Sequence, residues 1–134
     1  MPLAPSVIAP AYLTVPTSAT GSLGDEAADL AQQLDQMVGE EERIALRALM
    51  PTRDDGRWAG MSAAIVCGRR NVKSWALEMS VIHDAFVAKV DRVVWSAHLF
   101  ATSQESFQHL HGLIENYDWL RRRVRRVRLA NGEE

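Results

Sequence analysis

Apolar residues recur at helical spacing along most of the chain beyond residue 24. Leu23, Ala27, Leu30, Leu34 and Met37 step by three or four with acids and glutamines between them, which predicts an amphipathic helix. Asp25, Glu26 and Asp29 suit its first turn, where anions meet the positive end of the helix dipole. Gly39 weakens the pattern, and Ile44, Ala45, Ala48 and Leu49 resume it until Pro51 stops it. One helix with a weak joint and two short helices fit this stretch equally.

The segment PTRDDGRWAG from Pro51 to Gly60 carries the Pro, Asp and Gly signals of a turn or loop. The next run, SAAIVC from Ser62 to Cys67, is too short for its period to decide between strand and helix. A lone strand would have no partner in the pattern, so helix is the expectation.

Val72, Trp75, Met79, Ile82, Phe86, Val90, Val93, Ala97 and Phe100 then step by three or four with neither Gly nor Pro between them. They predict one long helix from Asn71 to Ala101, about 46 Å at 1.5 Å per residue. Such a helix overshoots the roughly 36 Å diameter of a compact chain of this size, so it must kink or belong to an elongated, self-associating bundle. Thr102 and Glu105 have capping-box spacing and predict a new helix start at about Ser103. Leu110, Leu113, Tyr117, Leu120, Val124 and Val127 alternate steps of three and four, the seam of a heptad repeat.

The first 24 residues differ in kind. They hold no charge and four of the five prolines, which exclude a helix through them, yet Leu3, Val7, Ile8, Tyr12, Leu13 and Val15 make them too apolar for a solvated tail. The expectation is an extended arm over residues 1–24 and a helical domain over 25–134. The fold class predicted is all-α: an elongated bundle of three to four helices with a Pro-rich extended N-terminal arm.

Composition narrows the function classes. At 134 residues, 47% hydrophobic and 24% charged, the chain has the balance of a single folded domain. Cys67 is the only cysteine, which excludes an intrachain disulfide, and no apolar run approaches the roughly 18 residues of a membrane span. A cytoplasmic protein is the expectation. The formal net charge is −2, but residues 1–60 sum to −5 and residues 61–134 to +3, so the chain is electrically polar end to end.

Most of that positive charge lies in WLRRRVRRVR from Trp119 to Arg128. On one helix, Arg121, Arg125 and Arg128 would form a row for phosphates, with Arg122 and Arg126 beside them and Trp119 free to stack on a base. Alternatively the arginine stems flank the apolar seam, and the acids Asp29, Asp35, Glu40, Glu41 and Glu42 face them from the same chain or a neighbour. Trp58 and Trp95 are candidate interface anchors, while Trp75 belongs to the core stripe.

Catalytic signals are thin. Glu105 with His109, and His111 with Glu115, offer two ligands each, too few for a metal site, and no metal or other cofactor is expected. Arg69 and Arg70 beside Cys67 would favour a thiolate, but a small residue in an apolar run fits packing better. His83 and Asp84 are a base and orienter by type, yet neighbours on a helix project about 100° apart.

Trp58-Ala59-Gly60 between helical segments resembles the W-x-G turn of a family of small secreted helical-hairpin proteins, which work as dimers. The chain departs from that family in its Pro-rich arm and Arg-rich end, and Arg121 stands where the family's acid is expected after Tyr117. The reading is therefore a non-enzymatic helical interaction protein, a small subunit, adaptor or inhibitor in an assembly or homo-oligomer. It would bind its partner through Leu110, Leu113, Tyr117, Leu120, Val124, Val127, Trp58 and Trp95. The alternative is a nucleic-acid-binding regulator using Trp119, Arg121, Arg122, Arg125, Arg126 and Arg128.

Overall fold

The structure is a computed structural model that describes residues 10–68 and 72–128. Pro2, Leu3, Pro5, Val7 and Ile8 of the expected arm, Arg69 and Arg70 beside Cys67, and Asn71 lie outside the described residues. The described chain is mostly helical. Its elements run β1 (Gly21–Ser22), α1 (Gly24–Gln33), α2 (Glu40–Leu49), β2 (Pro51–Thr52), α3 (Lys73–Phe86), α4 (Phe100–Glu115) and α5 (Asp118–Arg121).

The first apolar stripe folds as two helices, each stopped by local chemistry. Asp25 and Glu26 occupy the first turn of α1, and the helix closes where Asp35 takes a left-handed φ of 53°. At the start of α2, Glu42 reaches back so that the Gly39 amide donates to its carboxylate at 2.9 Å, half of a capping box. Met50 closes α2 and Pro51 turns the chain into β2. Met37, counted in the stripe, lies in the joint and is 92% exposed.

The two helices meet closely because of Gly24. A Cβ there would collide with the backbone of Leu46 and Arg47 on α2, so only glycine permits the approach. The Ser22 hydroxyl lies 2.9 Å from the Arg47 carbonyl and 3.0 Å from that of Met50, two of the carbonyls left without helical partners at the end of α2. β1 and β2 pair antiparallel, Gly21 with Thr52 and Ser22 with Pro51, a short ribbon that the helical pattern did not predict. Small side chains continue the approach: Ala27, Ala28 and Ala31 on α1 and Ala76 on α3 are fully buried. Leu34, Leu46, Met50, Met79, Ile82 and Leu120 fill the space between. Each contributes about 1.5 to 3 kcal/mol by leaving water.

Outside the helical faces, Arg43 bridges Asp25 and Asp29, and Arg47 bridges Asp25 and Glu40, at 2.8 to 3.4 Å. The Arg47 guanidinium, with Arg43 behind it, holds the Asp25 carboxyl below its ordinary value.

Three expectations are corrected. The long helix from Asn71 to Ala101 does not form: α3 ends at Phe86, the His83 carbonyl accepts from both Val87 and Ala88, and Lys89 takes a left-handed φ of 53°. Residues 87–99 are irregular, and α4 begins at Phe100, ahead of the expected start at Ser103. Second, SAAIVC is not helical; it runs as irregular chain, and the Lys73 ammonium donates to the carbonyls of Cys67 and Gly68. Third, the last seam is not one helix. It breaks at Asn116 and Tyr117, and after Arg121 the chain leaves the helix. Trp58-Ala59-Gly60 follows a tight turn at 53–57 in which Gly56 takes φ 75°, and Thr52 bridges Trp58.

Gly24→Ala is expected to lower stability by about 3 kcal/mol, the upper end of overpacking costs, because backbone rather than a movable side chain blocks the added methyl. Thermal unfolding followed by circular dichroism checks this against Gly112→Ala, where nothing lies within 4 Å of the added Cβ.

Candidate interaction surface

The end of α3 positions the surface. Beyond Phe86 the chain turns out of the core, and the apolar residues that continued the stripe are left in water. Val87, Val90, Val93, Leu99 and Phe100 are exposed, and Val94 is 81% exposed. Phe107 extends the patch along α4, where its ring stacks on His111 with centroids 6.0 Å apart. Trp95 is half-buried in the irregular segment, and Trp58 is exposed in the loop after β2.

The residues of the expected seam divide between core and surface. Leu113 and Leu120 are buried against the chain's own core, with Leu110 and Tyr117 half-buried beside them. The Tyr117 hydroxyl donates to Asp35 at 2.8 Å, tying the α4–α5 joint to the end of α1. Burial first, and then Asp35, push that phenol up from its ordinary value. Val124 is half-buried and Val127 exposed, both beyond the last helical residue.

The arginines are likewise not a helical row. Arg121 pairs with Asp118 at 2.7 Å. Arg123 lies 5.7 Å over the Trp119 ring, so one face of that indole is taken, and its Nη1 donates to the Phe86 carbonyl at 3.2 Å. Arg122, Arg125, Arg126 and Arg128 are exposed and have no acidic partner among the described residues. The expectation that acids of the same chain face them is corrected for Asp29 and Glu40, which Arg43 and Arg47 engage instead.

A second feature joins residues that sequence spacing keeps apart. His83 is 1% exposed, with Glu26 of α1 3.3 Å from Nε2 and Asp84 3.7 Å from Nδ1. Neither ring nitrogen has a hydrogen-bond partner among the described residues, and the same holds for Asp84 Oδ1. Burial raises the Asp84 carboxyl against the opposing pull of His83. Asp84 also edges a small cleft of about 210 Å³ with Trp58, Met61 and Ser62. Glu26 is the residue that sequence reasoning missed, because only the packing of α1 on α3 brings it to the imidazole. His109, paired with Glu105 by spacing, instead holds the buried Glu78 at 2.7 Å and joins α4 to α3.

Cys67 lines an apolar cleft of about 440 Å³ with Tyr12, Ile44, Ile65 and Val72. Among the described residues no group of three or more His, Cys, Asp or Glu side chains is placed to hold a metal ion, and no helix is long and apolar enough to cross a membrane. Comparison with known proteins finds no matching family model, no matching curated protein and no matching solved structure.

Asp84→Asn tests the strain in this cluster. With its pKa raised on folding, the carboxyl favours the folded state only while protonated, so its ionisation lowers stability as pH rises through and above 3.8. The amide variant is expected to unfold a few degrees higher than the parent at pH 7. That gain should vanish near pH 3, as read by melting curves across the range.

Proposed function

We propose that the protein is a non-enzymatic helical interaction protein, a small subunit, adaptor or inhibitor that docks on another protein chain or on copies of itself. One observation carries the reading: six large apolar residues, Val87, Val90, Val93, Val94, Leu99 and Phe100, are exposed in and at the end of the segment that connects two helices that are otherwise packed. Large apolar side chains exposed together in one segment are what protein contacts cover, and charged residues fix orientation. Arginines 122, 125, 126 and 128, without an acidic partner among the described residues, are available to supply such charge. The apolar residues Val90, Val94, Leu99 and Phe100 replace Leu113 and Leu120 as the binding group, since burial in the chain's own core removes those two from any partner.

The second reading is a nucleic-acid-binding regulator, favoured by the same four exposed arginines in the segment after Trp119. Light scattering behind size exclusion, at about 0.1 M and about 1 M salt, separates the two, because screening lengths of roughly 10 Å and 3 Å leave apolar contacts intact and weaken phosphate contacts. A nucleic-acid-free oligomer that survives high salt is expected. Val90→Ser/Val94→Ser/Phe100→Ser should weaken it at least about tenfold, the effect of roughly 1.4 kcal/mol of lost apolar burial. A monomer that carries nucleic acid at low salt, sheds it at high salt and loses it on Arg121→Glu/Arg125→Glu would overturn the protein-docking reading.

A further inference from the structure

The segment between α3 and α4 is folded against its own local preferences. Its sequence carries the helical stripe through Phe86, Val90, Val93, Ala97 and Phe100 without a glycine or proline, yet residues 87–99 are not helical. The stop at the end of α3 uses a lysine, Lys89, at a left-handed φ of 53°, a conformation that glycine adopts freely and other residues adopt at a cost. The actual start of α4 carries no cap: its N-cap is Leu99, no acid occupies its first turn, and the capping-box pair Thr102 and Glu105 lies inside the helix. A helix that ends without glycine or proline, followed by one that begins ahead of its capping signal, keeps the helical pattern across the break.

We infer that this segment is the hinge of a domain-swapped dimer, in which the occupant of the exposed apolar face is a second copy of this chain. The inference rests on the protein-docking reading above and names its partner. With residues 87–99 helical, α3 and α4 become one rod from Lys73 to Glu115, about 64 Å long. α4 and α5 then leave their own core, and the equivalent elements of the second copy take their place. Every contact needed is already on the page: Leu113 and Leu120 in the core, His109 on Glu78, Tyr117 on Asp35. Those contacts are complementary because they are the closed chain's own, re-formed between copies.

The swap also covers part of what the closed chain leaves exposed. Val90, Val93, Ala97 and Phe100 alternate steps of three and four, so on a straight rod they form a heptad seam that the identical seam of the other copy can face. α4 and α5 are the elements free to leave, since α1, α2 and α3 pack on one another while α4 reaches them chiefly through α3. Opening releases the strained φ at Lys89 and buries Val90 and Val93, and the contacts of α4 and α5 with the core are restored by the second copy.

The test asks whether α4 sits on its own chain or on another. Cysteines replace Glu78 and His109 in a Cys67→Ser background, and a short bismaleimide is added across a range of concentrations. The inference expects a particle of twice 14.9 kDa whose two chains become covalently joined. In the protein without added cysteines, Lys89→Gly/Ser96→Gly should weaken the dimer at least about tenfold by light scattering, since glycine relieves the closed hinge and disfavours the rod. A dimer whose crosslinks stay within each chain would overturn the swap and leave the protein-docking reading intact. A monomer at every concentration, crosslinked within the chain, would overturn the swap and remove the second copy as partner.

Discussion

The fold depends on one close approach, where the missing side chain of Gly24 lets the start of α1 lie on the backbone of α2. Ser22, two residues earlier, meets the open carbonyls of Arg47 and Met50, and the short ribbon of β1 on β2 holds that register. With the two helices this near, the buried alanines of α1 leave room for α3, and Met79 and Ile82 complete the core. Charge follows the same geometry. Asp25 comes within reach of Arg43 and Arg47 only because α1 and α2 are already side by side. These ion pairs lie at the surface and fine-tune the packing, while the backbone contact at Gly24 determines it.

Tertiary packing wins over local preference between Phe86 and Phe100. A straight continuation of α3 would keep α4 away from the core that Leu113 and Leu120 fill. In the closed chain the gain from burying those leucines, together with the bonds His109 to Glu78 and Tyr117 to Asp35, exceeds the strain at Lys89 and the exposure of several valines. The two terms are of similar kind, and the proposed exchange with a second copy would satisfy both.

Two charge systems remain distinct. In the N-terminal half, three acids are held by two arginines within the α1–α2 pair, which leaves the arginines beyond Arg121 without those partners. The buried imidazole of His83, between Glu26 and Asp84, is a different arrangement: its nitrogens carry no hydrogen bond among the described residues, and burial opposes the charge on Asp84. A polar group buried in that state lowers stability, and His83 stands on the face of α3 that meets α1 through Glu26.

The mainly helical class, the acidic first turn of α1, the interruption near Gly39 and the stop at Pro51 are legible in the order of residues alone. Each of these follows from spacing or from the backbone limits of one residue, which neighbours in sequence suffice to express. That order also marked the apolar residues that stay exposed, though as a continuation of a core stripe. Which of them the chain buries is settled by packing across the fold. Leu113 and Val90 have the same helical spacing in the sequence, and a core of limited volume takes the first and leaves the second in water. The break at Lys89, the meeting of Glu26 with His83 and the departure of the arginines from a helix share that origin: each joins or separates residues through packing across the fold, which leaves no trace in local periodicity.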